Sequence, residues 1–173
     1  MVLLKSLFIN AISFLIAFAV IKFLIMKNKE PYHFVDYFNI YGLTSFLLVC
    51  FYLKYLNDLT ILMEIIVFFI LFLFYLRSFD AATKKYHERF KITILSFGYS
   101  KKTYFSNFLS KKILTRGVEA FLFAVSFYYF MDKLFLSVPI ILNPMIIIIP
   151  AILLFFTTIV KSSKINKTYR ILN

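Results

Sequence analysis

The residues of this chain that could do chemistry are a few charges set inside apolar stretches: Glu64, Arg116 and Glu119. A charge in hydrocarbon is costly, so such a residue turns to a bundle interior or to water, or reaches for the headgroups. Arg116 and Glu119 are three apart, which puts them on one helix face within pairing reach. They read either as a snorkelling local pair or as an interhelical lock that moves. Glu64 has no such neighbour and needs a partner on another helix or the headgroups. His33 and His87 are far apart, with no metal-ligand spacing between them. Cys50 is the single cysteine and lies in an apolar run, which excludes an intramolecular disulfide and a cysteine-built zinc site. Paired carboxylates, a His cluster and nucleophile–base spacing are all missing, so no catalytic, cofactor-binding or metal residue is assigned and the chain is not read as an enzyme.

The elements that must position these charges are membrane helices. The chain has 173 residues, 62% of them hydrophobic, and a mean hydropathy of +0.86. The apolar excess falls in runs about as long as a bilayer-crossing helix. Lipid tolerates no open sheet edge or irregular coil, so the fold class is all-α: a polytopic bundle of about five spans. The spans are expected at 7–26, 38–53, 59–76, 113–130 and 139–160. Lys54 and its neighbours to Asp58 form a tight polar turn, and Asp132 and Lys133 a brief outer one. Asn143-Pro144 and Pro150 are candidate kinks or hinges in span five. In span one, Ala17-Phe18-Ala19 lies inside the apolar run and Lys22 follows it, a poor cleavage site. Span one is therefore kept as a helix rather than a signal peptide.

The net charge of +12 would fit nucleic acid. Its placement argues against that partner. Nine of the 20 Lys and Arg lie in 77–112 and four in the tail 161–173, both beside apolar spans. The bias of basic residues toward the cytoplasmic side orients such chains. A five-span arrangement with the N-terminus outside puts sixteen basic residues inside and three outside, with Arg116 in a span. The central loop and the tail are then cytoplasmic. A four-span arrangement in which span two does not cross strands Lys22, Lys27 and Lys29 outside and ranks second.

The stretch 77–112 is the long polar segment between apolar spans. Span three can continue as a helix through AATKKYHERF, which holds no Pro or Gly. In ERFKITILSF, Phe90, Ile94 and Phe97 share one face, which predicts a short amphipathic helix lying along the membrane surface or against a partner. Gly98 can take the positive φ of a helix C-cap. Ser100 suits the N-cap of the next helix, which runs from Lys101 into span four. The shape is a cytoplasmic elbow between spans three and four.

The run ERFKITILSFGYSKK resembles the cytoplasmic segment of FtsX/MacB-type ABC transporter permeases, and its Gly98-Tyr99-Ser100 version is most similar to the bacteriocin-associated integral membrane proteins of that group. The resemblance spans 59–173. It implies a three-span permease core there, with residues 1–58 as two further N-terminal spans. It also implies a bacterial cytoplasmic membrane protein whose elbow docks on a separate cytoplasmic ATPase. Glu88, Phe90, Ile92, Leu95, Gly98 and Ser100 match the family's coupling pattern. Two features depart from it: no large extracellular domain separates the first span from the core, and Ser96 and Phe97 stand where alanine and leucine are common. No Walker motif is present in the sequence, so the ATPase is a different chain. The substrate class would be a peptide, a bacteriocin or a lipid-like molecule, and the pathway would need a second copy or another permease chain. The alternative is a non-transporting membrane protein, such as a bacteriocin immunity or accessory subunit.

Overall fold

The computed structural model describes residues 2–27, 29, 31–56, 60–96, 98, 103, 108–137 and 144–171, with side chains throughout except at 86–95 and 163–171. Among the described residues there is no strand. The helices are α1 (Val2–Met26), α2 (Ile40–Leu56), α3 (Thr60–Ser96), α4 (Ser110–Ser137) and α5 (Pro144–Ile171), with a 3-10 turn His33–Tyr37 before α2.

Contacts fix how the helices run. Ser6 of α1 donates its hydroxyl to the carbonyl of Val125 in α4 (3.1 Å), while Phe14, two turns on, packs on Phe121. These two helices are therefore antiparallel. Phe51 packs on Tyr128 and Tyr55 on Phe135, so α2 and α4 run together. Ser45 donates to the carbonyl of Ala151 (2.8 Å), while the Thr158 hydroxyl, two turns on in α5, lies 3.5 Å from Asn39 Oδ1 just before α2, so α2 and α5 are antiparallel. Helix α1 packs on α3 and α4, α2 packs on α3, α4 and α5, and α5 leans mainly on α2. Tyr75 of α3 meets Asn10 of α1 and Phe79 meets Phe18, so α3 runs with α1; helices 1, 3 and 5 therefore run one way, and 2 and 4 the other.

Four of the helices are long and apolar enough to cross a membrane. Helix α2 has 17 residues. At 1.5 Å per residue it reaches about 25 Å, slightly less than a hydrocarbon core of about 30 Å. It stands beside the long helices from one polar end of the bundle to the other, consistent with about five spans.

The exposure pattern is inverted relative to a water-soluble protein. Buried side chains include Ser6, Asn10, Ser13, Asn39, Ser45 and Thr158, whereas Leu4, Phe8, Leu15, Ile61, Leu122 and Leu153 are all more than 60% exposed. A contiguous exposed apolar surface with polar groups inside is what lipid selects. This is a multi-pass membrane protein.

The interior face of α1 is built from Ser6, Asn10, Ser13, Ala17 and Ile21, at steps of three and four. Small residues let backbones approach closely, and their hydroxyls and amides bond across helices. Asn10 Nδ2 donates to the Ser6 carbonyl (2.8 Å), and the Tyr75 hydroxyl of α3 donates to Asn10 Oδ1 (2.6 Å). Replacing either partner (Asn10→Ala or Tyr75→Phe) is expected to cost about 1 kcal/mol, in line with interhelical hydrogen bonds in membranes. The double variant should lose less than the two single losses together, read from unfolding midpoints in mixed micelles. Strict additivity would show that the bond carries no coupling.

One notch in α4 completes this packing. A Cβ on Gly117 would stand 2.5 Å from the Phe79 ring and 2.9 Å from that of Phe14. Phe14 lies edge-on to Phe79, Tyr75 and Phe121, at centroid distances of 5.1, 5.4 and 5.7 Å. Edge-to-face geometry suits the ring quadrupoles. The aromatic cluster fits between α1, α3 and α4 because position 117 has no side chain.

Four expectations need revision. Helix α3 runs unbroken for 37 residues to Ser96, so 88–96 continues the span and is not a separate helix lying along the surface. Backbone hydrogen bonding does not stop where the apolar run stops, and Ala81, Ala82 and the lysines after them are good helix formers. Asp132 and Lys133 are inside α4, not in an outer turn, because that helix extends to Ser137. Lys54 is inside α2. Helix α5 starts at Pro144 and continues through Pro150 to Ile171, eleven residues beyond the expected end of span five at 160. Proline at a first helical position gives up only an N–H that has no intrahelical partner.

Candidate functional site

The charges gather in two layers, one at each end of the bundle. Glu64 and Arg77 are thirteen residues apart in α3, and Glu119 and Asp132 are thirteen apart in α4. Both steps correspond to about 20 Å of apolar helix.

At the end holding the start of α1, Glu64 pairs with Lys5 and also faces Lys54 at 3.7 Å. Lys54 Nζ donates to Asp132 Oδ1 at 2.8 Å, and the Tyr55 hydroxyl donates to the same oxygen at 2.9 Å. Two cations and two carboxylates thereby tie α1, α3, α2 and α4 into one neutral network. Lys54 and Asp132 are only 6% and 4% exposed. The rings of Phe51 and Tyr55 lie 5.2 and 5.1 Å from the Lys54 ammonium, adding cation–π attraction on its remaining sides.

At the opposite end, Arg116 and Glu119 form the ion pair expected from their spacing. Both face outward, with side chains 63% and 59% exposed, so the pair adds little to stability. It does not meet Glu64, which lies in the other layer. In α3, Asp80 is buried and receives Lys84 at 2.9 Å, one turn on. Arg77 stands half-buried between this pair and the Arg116–Glu119 pair.

Helix α3 continues past Lys85 for eleven further residues. They extend it by about 16 Å. Positions 88, 92 and 95 share one side of this projection by helical period, and position 90 lies on the other. Glu88, Phe90, Ile92 and Leu95 are thus on the projecting helix, and their side chains lie outside the described residues. Gly98 has φ +82°, with no atom that a Cβ would strike within 4 Å. Glycine is used there for its backbone conformation, the left-handed one that ends a helix. Ser100 lies outside the described residues.

Among the described residues, no group of three or more His, Cys, Asp or Glu is placed to hold a metal ion. No family, no curated protein and no solved structure matches this chain.

Sequence reasoning found Glu64, Arg116 and Glu119 but missed Lys5, Lys54, Tyr55 and Asp132. A signal existed for two of these. Lys54 follows Phe51-Tyr52-Leu53 and precedes Tyr55-Leu56, and Asp132 follows Tyr128-Tyr129-Phe130-Met131. A charge with a full apolar turn before it is no more turn-like than Glu64.

Proposed function

We propose that this chain is a membrane subunit of an ATP-driven transporter in a bacterial cytoplasmic membrane. It is driven by a separate cytoplasmic ATPase that docks on 88–100, and its substrate is a peptide, a bacteriocin or a lipid-like molecule. The observation that carries this reading is the unbroken α3. A helix that leaves the bilayer without a hinge moves as a rod. From Ser96 to Glu64 is about 48 Å along its axis, so a push at the projecting end would arrive at the network that joins four helices. The resemblance of ERFKITILSFGYSKK to permease coupling segments supplies the type of partner. The excess of basic residues at that end supports a cytoplasmic placement.

The test is a pull-down of the tagged protein from its native membrane, with ATPase assay and identification of what accompanies it. A nucleotide-binding chain should be retained. Gly98→Pro combined with charge reversal at Glu88, Arg89 and Lys91 should lower that retention at least tenfold, while leaving the bundle folded. Retention that survives these changes would sink the docking assignment. Full biological protection or export in cells deleted for every candidate ATPase would favour a non-transporting immunity or accessory protein instead.

A further inference from the structure

The 3-10 turn His33–Tyr37 lies between α1 and α2, at the end of the bundle that holds Arg116 and Glu119. Its two sides differ in what they meet. On the packed side Val35 is buried, and Phe38 just after the turn stacks on Phe46 of α2 at 5.3 Å. Asp36 lies close enough to Arg77 of α3 for the two charges to attract. On the open side Tyr32, Phe34 and Tyr37 are exposed. Tyr32 is the most exposed of the described large apolar side chains, at 81%, and its ring stacks on that of Phe34 at 6.2 Å.

The open side is held away from the bundle. The turn closes its own backbone bonds, from the Val35 N–H to the Tyr32 carbonyl and from the Phe38 N–H to the Val35 carbonyl, both at 3.0 Å. The Tyr37 carbonyl sits so close to α2 that a Cβ on Gly42 would meet its oxygen at 2.0 Å. The three rings therefore form a fixed plate.

The placement of tyrosine along the bundle indicates what this plate meets. Among the described residues four tyrosines are exposed: Tyr32, Tyr37, Tyr41 and Tyr129. The first three lie within ten positions at this end, and Tyr129 stands three residues before Asp132 at the other. Exposed side chains between the two levels, among them Leu15, Phe69, Leu122 and Leu153, carry no polar group. Tyrosine is the residue of the membrane–water boundary, where its ring meets acyl chains and its hydroxyl meets water. Helix α2 gives the same level independently. Its 17 residues reach about 25 Å, about 5 Å short of a hydrocarbon core. An interfacial segment dips its apolar face about 5–10 Å into the headgroup and acyl boundary, which makes up the shortfall.

We propose that the His33–Tyr37 turn is seated in the headgroup layer, with Tyr32, Phe34 and Tyr37 against the first part of the acyl chains, and that this seat sets the depth at which α2 crosses. The occupant of the patch is lipid, because the patch continues the lipid-facing surface on both sides. Phe23 and Met26 are exposed at the end of α1, and Ile40 and Tyr41 at the start of α2. Lys161 of α5 lies 4.8 Å over the Tyr41 ring, a cation and a tyrosine together at the same level, as membrane boundaries favour. The seat needs only the bilayer and is independent of the transporter reading.

The chain contains no tryptophan, so one introduced indole reports one position. Full-length Phe34→Trp in phosphatidylcholine vesicles is read by quenching with lipids brominated near the carbonyl or deep in the acyl chain, and with aqueous iodide. The shallow bromines should quench roughly twofold or more beyond the deep ones, as a ring within about 10 Å of the boundary requires. Leu15→Trp, on the lipid-facing side of α1, should give the reverse order. In a Val49→Trp chain, midway along α2, adding Tyr32→Ser and Phe34→Ser should change the ratio of shallow to deep quenching. An unchanged ratio would overturn the depth-setting role. A Phe34→Trp ring quenched by iodide and untouched by either bromolipid would overturn the seat and leave a water-facing patch for a protein partner. Stronger quenching by the deep bromines would overturn it as well, since the turn would then lie inside the hydrocarbon. If Phe34→Trp does not fold, Tyr32→Trp at the most exposed position gives the same decision.

Discussion

Lys54→Met should destabilise the bundle by about 3–5 kcal/mol, the cost of stripping one partner from a buried ion pair. Among the described residues, Asp132 would keep only the Tyr55 hydroxyl at its Oδ1, in a site 4% exposed. The Lys5–Glu64 pair would remain, but its link to α2 and α4 would be gone. Asp132→Leu should be damaging for the mirrored reason. The double variant Lys54→Met with Asp132→Leu should return to within about 1 kcal/mol of the parent, because well-packed apolar groups replace buried pairs at little cost. Exchanging the two charges should not restore stability, since a carboxylate at position 54 would face Glu64. Unfolding midpoints in mixed micelles for the four chains decide the matter. Single variants as stable as the parent would mean that the two charges are solvated and the network is incidental.

Gly42→Ala should cost about 2–3 kcal/mol, at the upper end of ordinary overpacking. A Cβ there would lie 2.0 Å from the carbonyl oxygen of Tyr37 and 3.4 Å from the Thr158 methyl. The first obstacle is backbone, so no rotamer change relieves it. The 3-10 turn would have to move away from α2, disturbing the start of that helix. Asn39 Oδ1 accepts from the backbone N–H groups of Tyr41 and Gly42 at 2.9 and 3.2 Å there, satisfying donors that the helix itself leaves open. Thr158 approaches the same oxygen at 3.5 Å, so the strain would reach the α2–α5 contact as well. Parallel unfolding of Gly42→Ala and Gly117→Ala tests the reasoning. The obstacles at 117 are ring edges that can yield by small rotations, so its loss should be the smaller. The reverse order would show that the turn before α2 adapts easily.

Helix number and type were legible in the sequence because each apolar run carries its own demand: lipid leaves the backbone no partner but itself. The Arg116–Glu119 pair was legible because a three-residue step fixes proximity within a single helix. Gly98 was legible because few residues other than glycine adopt its φ readily. Where helices end was less legible. Hydropathy changes at the membrane surface, but the helical hydrogen-bond ladder of α3 continues to Ser96 and that of α4 to Ser137.

Only the tertiary structure decided which charges meet. Lys54 and Asp132 are 78 positions apart, and Tyr75 and Asn10 are 65 apart. The sequence alone determined five helices with charges at their ends. The lateral order and register of those helices joined Lys5, Glu64, Lys54 and Asp132 in one layer and left Arg116 and Glu119 in the other, because helix–helix register depends on which positions are small enough to be packed against: Ser6 and Ser13 on the inner face of α1, and Gly117 beneath the rings of Phe14 and Phe79.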